Sequence, residues 1–277
     1  MTKPQQRRFN RPFLKWAGNK YRVLKQILPQ LPPGECLIEP FAGSCAVFLN
    51  TDYPRYLISD INPDLIRLYQ ILKQEGEPFI RYARKLFTSH NNSEERYYRL
   101  RGRFNDSSDE VEKAALFLYL NRHGYNGLCR YNNAHQFNVP FGRYRRPYFP
   151  QREMRQFHHK AQLAQFLCQD FTTTISQAPA GSVIYADPPY VPLNTTASFT
   201  SYSSGGFTSG QQKRLAEIAE QAAQRGIPVL ISNHDTPFVR EIYRSATLTK
   251  FKVRRSISCN GQQRNDAAEL LGLFTPD

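Results

Sequence analysis

The chain has 277 residues, 40% of them hydrophobic and 13% aromatic, and no apolar run approaches the roughly 18 residues of a membrane span, so no membrane partner is expected. Lys and Arg number 37 against 23 Asp and Glu, and a net charge of +14 points to a polyanionic partner, because released counterions drive binding to a phosphate backbone. Five cysteines (Cys36, Cys45, Cys129, Cys168 and Cys259) are widely spaced without a CxxC pair, so neither a disulfide framework nor a metal site is expected, and a reducing cytoplasm fits.

The opening "MTKPQQRRFNRPFLKW" is basic without an apolar segment and does not read as a secretion signal. "FLKWAGNKY" (13–21) holds the only tryptophan, Trp16, between Lys15 and Lys20 and before a flexible Ala17-Gly18. It reads either as a core anchor or as an aromatic, basic lid over a cofactor. "CLIE" (36–39), "PFAGS" and "CAVFLN" predict strand, tight turn and helix. "YLIS" (56–59) predicts a second strand ending at Asp60. Asn62 then caps a helix with Pro63 at its first position and Leu65, Leu68, Tyr69 and Leu72 on one face. This alternation predicts an α/β fold with a parallel sheet.

From 63 to 149 the character changes. "EKAALFLYLNRHGYNG" begins as a buried helix that breaks at Gly124, and the segment through "NVPFGRYRRPYFP" reads as irregular or hairpin structure. Between Leu120 and Pro150 stand five arginines and no acid. The α/β pattern resumes with the strand "SVIYA" (182–186). "TSGQ" (208–211) is a capping box opening a helix through Gln224 with Leu215, Ile218, Ala219 and Ala222 on its apolar face. Gly226 ends it, and "PVLIS" (228–232) is a further strand. The expected division is an α/β domain of residues 1–62 and 150–277 interrupted by an insertion over 63–149.

In open α/β sheets ligands bind beyond the carboxyl ends of the strands. Glu39, Asp60 and Asp187 stand at three such ends, and the small residues of "FAGS" let a ligand approach the backbone. Asp60 follows the first strand by about 20 residues, where an acid commonly accepts ribose hydroxyls, although strand-end acids and turn glycines also occur with no nucleoside. "DPPY" (187–190) carries a more specific chemical argument. An exocyclic amine on a purine is a poor nucleophile because its lone pair is delocalised into the ring. Asp187 and the carbonyl of Pro188 can accept both of its N–H bonds and localise that pair. Pro188 and Pro189 hold the carbonyl rigidly, and Tyr190 offers a face to the base. The competing reading is an Asp-Pro-Pro turn with a packed tyrosine. "ISNHDT" (231–236) offers His234 as a general base or as a loop-orienting residue, and the chemistry does not require a base.

"FLKWAGNK", "EPFAGS", "SDIN", "HGYNGLCRYN", "FNVPFGRY" and "DPPY", in this order, resemble the DNA adenine-N6 methyltransferases of the Dam type, in their α-group arrangement. The resemblance runs from about Arg11 to the C-terminus. It implies a Rossmann-like methyltransferase sheet with helices on both faces and a mainly helical target-recognition insertion with a hairpin. It also implies S-adenosylmethionine as methyl donor, at Trp16, Ala17, Gly18, Lys20, Glu39, Phe41, Gly43, Asp60, Asp170, Phe171 and Asp187, with Asp187, Pro188, Pro189 and Tyr190 of "DPPY" as the catalytic motif. One departure is Phe41-Ala42-Gly43-Ser44-Cys45, which puts a cysteine where the family's FxGxG has its second glycine.

For double-stranded DNA the resemblance implies Tyr125, Asn126, Leu128, Arg130 and Pro140 as the target loop, with Lys15 as another base contact. Tyr125 suits a wedge where a base leaves the stack, Asn126 the orphaned partner, Arg130 a guanine edge, and Leu128 and Pro140 a thymine methyl. Arg101, Asn132, Arg143, Tyr144 and Arg145 would serve phosphates. The implied target is adenine within GATC, read by a protein monomeric in solution, with more than one copy able to share a DNA. The sequence argues against cytosine-C5 transfer, whose cysteine nucleophile usually follows a proline, because none of the 19 prolines precedes a cysteine. N4-cytosine transfer, whose motif usually starts with Ser, and a non-catalytic DNA-binding module are the alternatives.

Overall fold

The computed structural model describes residues 9–191, 207–254 and 266–276, so Cys259 lies outside the described residues. Strands β1 (Cys36–Glu39), β2 (Arg55–Asp60), β3 (Ala164–Cys168), β4 (Ser182–Ala186) and β5 (Val229–His234) run parallel. Strands β6 (Thr247–Arg254) and β7 (Asp266–Phe274) are antiparallel additions, and the order across the sheet is β3-β2-β1-β4-β5-β7-β6. The inner parallel strands β1, β4 and β5 are mostly apolar and buried because both faces are covered. Alternate side chains go to opposite cores: Leu37, Val183, Tyr185 and Leu230 to one, Ile38, Ile184, Ala186, Val229 and Ile231 to the other.

The helices are α1 (Leu24–Ile27), α2 (Pro63–Glu75), α3 (Glu77–Arg84), α4 (Glu94–Asp106), α5 (Glu110–His123), α6 (Gln151–Ala161), α7 (Phe171–Ser176), α8 (Ser209–Gln224) and α9 (Pro237–Ile242). Five of them, α2 to α6, lie between β2 and β3. The Asn62 side chain caps α2 through the N–H groups of Asp64 at 3.0 Å and Leu65 at 3.1 Å, and Gly76, at φ 55, stops it. Helix α2 also packs on the sheet, where Gln70 donates to the Phe166 carbonyl at 2.9 Å and Lys73 to that of Ala164 at 2.7 Å. Helix α5 is buried nearly all round, against α2, α3 and α4, as its unbroken apolar sequence requires. The capping box at Thr208 and Gln211 forms as its spacing predicts.

The helix expected in "CAVFLN" does not form. Only a 3-10 turn over Phe48–Asn50 does, because Cys45 sits at φ 59 in the left-handed region and breaks any helix through it. Strand β1 lies between β2 and β4, where the chain order reverses direction across the sheet, and the carboxyl ends of β1, β2 and β4 open on that crevice.

Candidate active site

Three carboxylates meet at the crevice. Glu39 ends β1, is 3% exposed, and its Oε1 has no hydrogen-bond partner among the described residues. Burial pushes its carboxyl up to about 8, against a backbone N–H of Phe48, and the charge of Asp187 adds to the rise. Asp60 ends β2 and accepts from the backbone N–H of Gly43 at 3.2 Å and of Asn62 at 3.0 Å. Burial raises its pKa too, and those backbone donors oppose the rise.

Gly43, at φ +45, lies directly against Trp16. A Cβ there would lie 3.1 Å from the indole Nε1, so glycine serves both the turn and the contact. The Tyr69 hydroxyl bonds the Gly43 carbonyl from α2. Phe41 stacks on Phe171 with ring centroids 5.3 Å apart, and Asp170 caps α7 by accepting from the Thr172 N–H at 2.8 Å. Beyond Trp16, Ala17 and Gly18 form the turn whose carbonyl, at Gly18, accepts from Lys20 Nζ at 2.7 Å.

Lys20 links this region to the strand end after β4. Its ammonium lies 2.7 Å from Asp187 Oδ1 and 4.4 Å from the centre of the Tyr190 ring. Burial raises the Asp187 pKa, and Lys20 opposes the rise by charge and hydrogen bond. Pro188 is buried, and the Pro189 carbonyl accepts from Gln212 Nε2 at 2.8 Å. Tyr190 donates to Glu269 Oε2 at 3.3 Å and meets the edge of the His234 ring at 4.7 Å. His234 Nδ1 bonds the Val191 carbonyl at 2.7 Å. A carbonyl only accepts, so Nδ1 carries the proton and the ring braces the segment after Tyr190.

The basic insertion presents a second group. Tyr125 is 51% exposed, and its N–H donates to the Pro140 carbonyl at 2.9 Å, tying loop to loop. Exposed Asn126, at φ 52, donates its N–H to the Tyr144 hydroxyl at 2.9 Å. Lys15 Nζ stands 3.7 Å from the centre of the Tyr144 ring and donates to the Arg122 carbonyl at 3.2 Å. Burial, helped by the charge of Arg122, lowers the Lys15 ammonium to about 8. Gly127, at φ +64, packs directly on the Lys15 side chain, where a Cβ would collide. Arg130 is exposed, and Asn138 holds its guanidinium through Oδ1 at 2.7 Å and its carbonyl at 3.3 Å. Leu128 is half-buried beside it.

The expected phosphate contacts divide. Arg143 and Arg145 are exposed beside Tyr144, Arg143 pairing with Glu94 at 3.3 Å. Arg101 donates to the Val139 carbonyl at 3.1 Å and lies over the Tyr98 ring, which makes it a brace for the Pro140 loop. Asn132 turns its side-chain oxygen to the N–H groups of Ala134 at 3.0 Å and Gln136 at 2.9 Å, closing the hairpin turn.

The family model for D12 class N6 adenine-specific DNA methyltransferases matches residues 16–257. The DNA adenine methylase of Escherichia coli (strain K12) is 55% identical over 267 residues, covering 96% of this chain and 96% of that protein. The DNA adenine methylase of Vibrio cholerae (strain ATCC 39541) is 53% identical over the same shares, and that of Serratia marcescens is 50% identical over 96% of this chain and 98% of its own. The chain belongs to the D12 class of N6 adenine-specific DNA methyltransferases.

A D12 methyltransferase takes its methyl from S-adenosylmethionine, and the pocket suits a cationic, nucleoside-bearing donor. Glu39 offers a buried oxygen that no described residue hydrogen-bonds, and Gly43 lets the backbone pass close against the Trp16 indole. Sequence reasoning missed Ile61, which is 65% exposed directly after Asp60. Its signal was available as an apolar residue between a strand-end acid and a helix cap. It also missed Gln212 and Tyr243, polar groups buried behind the D12 motif "DPPY", for which the sequence carries no periodic signal.

Proposed function

We propose that this D12 methyltransferase transfers the methyl of S-adenosylmethionine to N6 of an adenine swung out of double-stranded DNA within GATC. The observation that carries the reading is the Asp187 carboxylate, half-buried just past the end of β4 and paired with Lys20 at 2.7 Å. Trp16, Ala17, Gly18, Lys20, Glu39, Phe41, Gly43, Asp60, Asp170 and Phe171 would hold the donor. When bound, S-adenosylmethionine supplies an electrophilic methyl on a sulfonium.

The chain's own part is to make N6 a nucleophile. Asp187 and the Pro188 carbonyl accept its two N–H bonds and draw the lone pair out of the ring, and Tyr190 stacks on the base. Two prolines fix the acceptors beforehand, so little reorganisation accompanies transfer. Lys20 pairs with Asp187 before the base arrives, opposing the rise in pKa that burial causes, and yields the position to N6 on its arrival. The methylated amine then loses one proton to water, and no covalent enzyme intermediate or metal is needed. Residues 63–149 form the DNA-reading insertion. Tyr125 fills the gap left by the base, Asn126 meets its orphaned partner, and Arg130 reads guanine, while Lys15, Leu128 and Pro140 complete the base contacts. Arg143, Tyr144 and Arg145 serve the phosphates, with Arg101 and Asn132 holding the loops that present them. The enzyme acts as a monomer in the bacterial cytoplasm, where its DNA lies.

The test is transfer of a radiolabelled methyl from S-adenosylmethionine to short duplexes. Label should enter a GATC duplex at adenine N6, a duplex with that adenine replaced should stay unlabelled, and Asp187→Ala should abolish transfer while leaving duplex binding intact. Label at cytosine N4, tight binding without label, or wild-type turnover by Asp187→Ala would each overturn the reading.

A further inference from the structure

Two buried amides hold the backbone on either side of Tyr190. From the first turn of α8, Gln212 donates through Nε2 to the Pro189 carbonyl at 2.8 Å. From β5, Asn233 accepts through Oδ1 from the Val191 N–H at 3.4 Å and from the His234 N–H at 2.9 Å. The two join directly, since Asn233 Nδ2 donates to Gln212 Oε1 at 2.9 Å and also to the Tyr243 hydroxyl at 3.1 Å. Gln212 is 1% exposed, Asn233 0% and Tyr243 0%.

The direction of this chain is forced at both ends. A carbonyl at Pro189 only accepts, so Gln212 must turn its amino group there and its oxygen to Asn233. The Val191 N–H only donates, so Asn233 must turn its oxygen there and its amino group to Gln212. Each amide orientation agrees with the other, which makes the pair a single cooperative unit. The peptide planes before and after Tyr190 are therefore both set from outside the motif, and the first of them also ends the Pro188-Pro189 corner.

We infer that Gln212 and Asn233 are a positioning pair for methyl transfer, fixing the angle at which Tyr190 meets the target base and steadying the Pro188 acceptor beside it. The inference rests on the reading that Tyr190 stacks on the extruded adenine. Neither residue touches that base. Satisfying a buried carbonyl for stability alone would need the donor but not its coupling to turnover, and the two roles separate experimentally.

The experiment compares Gln212→Met and Gln212→Glu with the parent chain in labelled-methyl transfer to a GATC duplex across pH. It is run alongside S-adenosylmethionine binding and the emission of 2-aminopurine placed at the target adenine. Gln212→Met keeps length and burial but loses the donor. Its kcat should fall about tenfold or more with KM for S-adenosylmethionine within about twofold, since small misplacements at a reacting centre cost up to about a hundredfold. The bound 2-aminopurine emission should differ from the parent's, because the base leaves the duplex but meets a misplaced ring. Gln212→Glu gives the sharper readout. Its protonated carboxyl can donate to Pro189 and accept from Asn233, so its activity relative to the parent should rise as pH falls. Tyr190, His234, Tyr243, Glu269 and Asp187 surround the corner in both chains, and their titration cancels in that ratio. Should Gln212→Met also lose cofactor binding, the Gln212→Glu ratio decides. A parental kcat and parental emission in Gln212→Met, or a Gln212→Glu ratio flat with pH, overturns the inference. A parent chain that transfers no methyl defeats the reading of the site itself, and the pair is judged on ratios to an active parent.

Discussion

Replacing Glu39 by Gln removes one ionisable proton from the crevice while keeping shape and hydrogen-bonding capacity. Glu39 is 3% exposed, and burial holds its carboxyl at about 8 against the usual 4.5. Unfolded, the residue gives up its proton near 4.5; folded, it keeps that proton until about 8. Between those values the native state binds one more proton than the unfolded state, so stability falls as pH rises. The stabilising contribution is full below 4.5 and lost as pH climbs through about 8. At about 1.4 kcal/mol per pH unit, the separation amounts to about 5 kcal/mol in all. Gln cannot ionise, so Glu39→Gln should lose this slope. Urea unfolding of both chains without cofactor, from pH 5 to pH 8, should show the variant gaining on the parent by about 1 kcal/mol per pH unit. Parallel stability profiles would refute the reasoning, because they would mean that Glu39 ionises as it does in water.

Three other predictions follow from single positions. Arg130→Ala should relax discrimination at a guanine by about 1–3 kcal/mol, read from methylation rates on duplexes changed at that base; unchanged preference removes Arg130 from the readout. Cys45 stands at φ 59, so Cys45→Gly should be more stable than Cys45→Ala by about 1 kcal/mol in thermal or urea melts, the reverse of the usual order. Ile61, exposed between Asp60 and the α2 cap, stands where a nucleoside held by Asp60 would rest; Ile61→Ser should therefore weaken S-adenosylmethionine binding about fivefold by titration calorimetry, roughly 1 kcal/mol of apolar contact, with folding stability unchanged.

The sequence was most legible where one local rule settled the structure. "CLIE" and "SVIYA" are strands to the residue, because short apolar runs bounded by turn residues bury both faces. Asn62 with Pro63, and Thr208 with Gln211, mark their helix starts by capping chemistry alone. Legibility failed where tertiary contacts outrank local pattern. "DAAELLGLF" lacks β-branched residues and carries no strand signal, yet β7 forms because β5 and β6 flank it and supply its pairing. The stretch after "FAGS" reads as helix, but the close approach of Gly43 to Trp16 and the backbone bonds to Asp60 impose a turn. In the candidate site, Asp60, Asp187, Trp16 and Lys20 stood out in sequence because their chemistry is unusual at their positions, and the fold gathers them at the crevice. Gln212 was invisible, since a glutamine in the first turn of a helix looks like surface. Arg101 and Asn132, expected to serve phosphates, are bonded to the loop backbone, which no local pattern signals.

The account stands most directly on where methyl groups appear. Long double-stranded DNA treated with the enzyme and S-adenosylmethionine, then mapped base by base, should carry N6-methyladenine at GATC on both strands and lack it when Asp187→Ala is used. Methyl groups on cytosine, or on adenines without regard to the flanking guanine, thymine and cytosine, would contradict it.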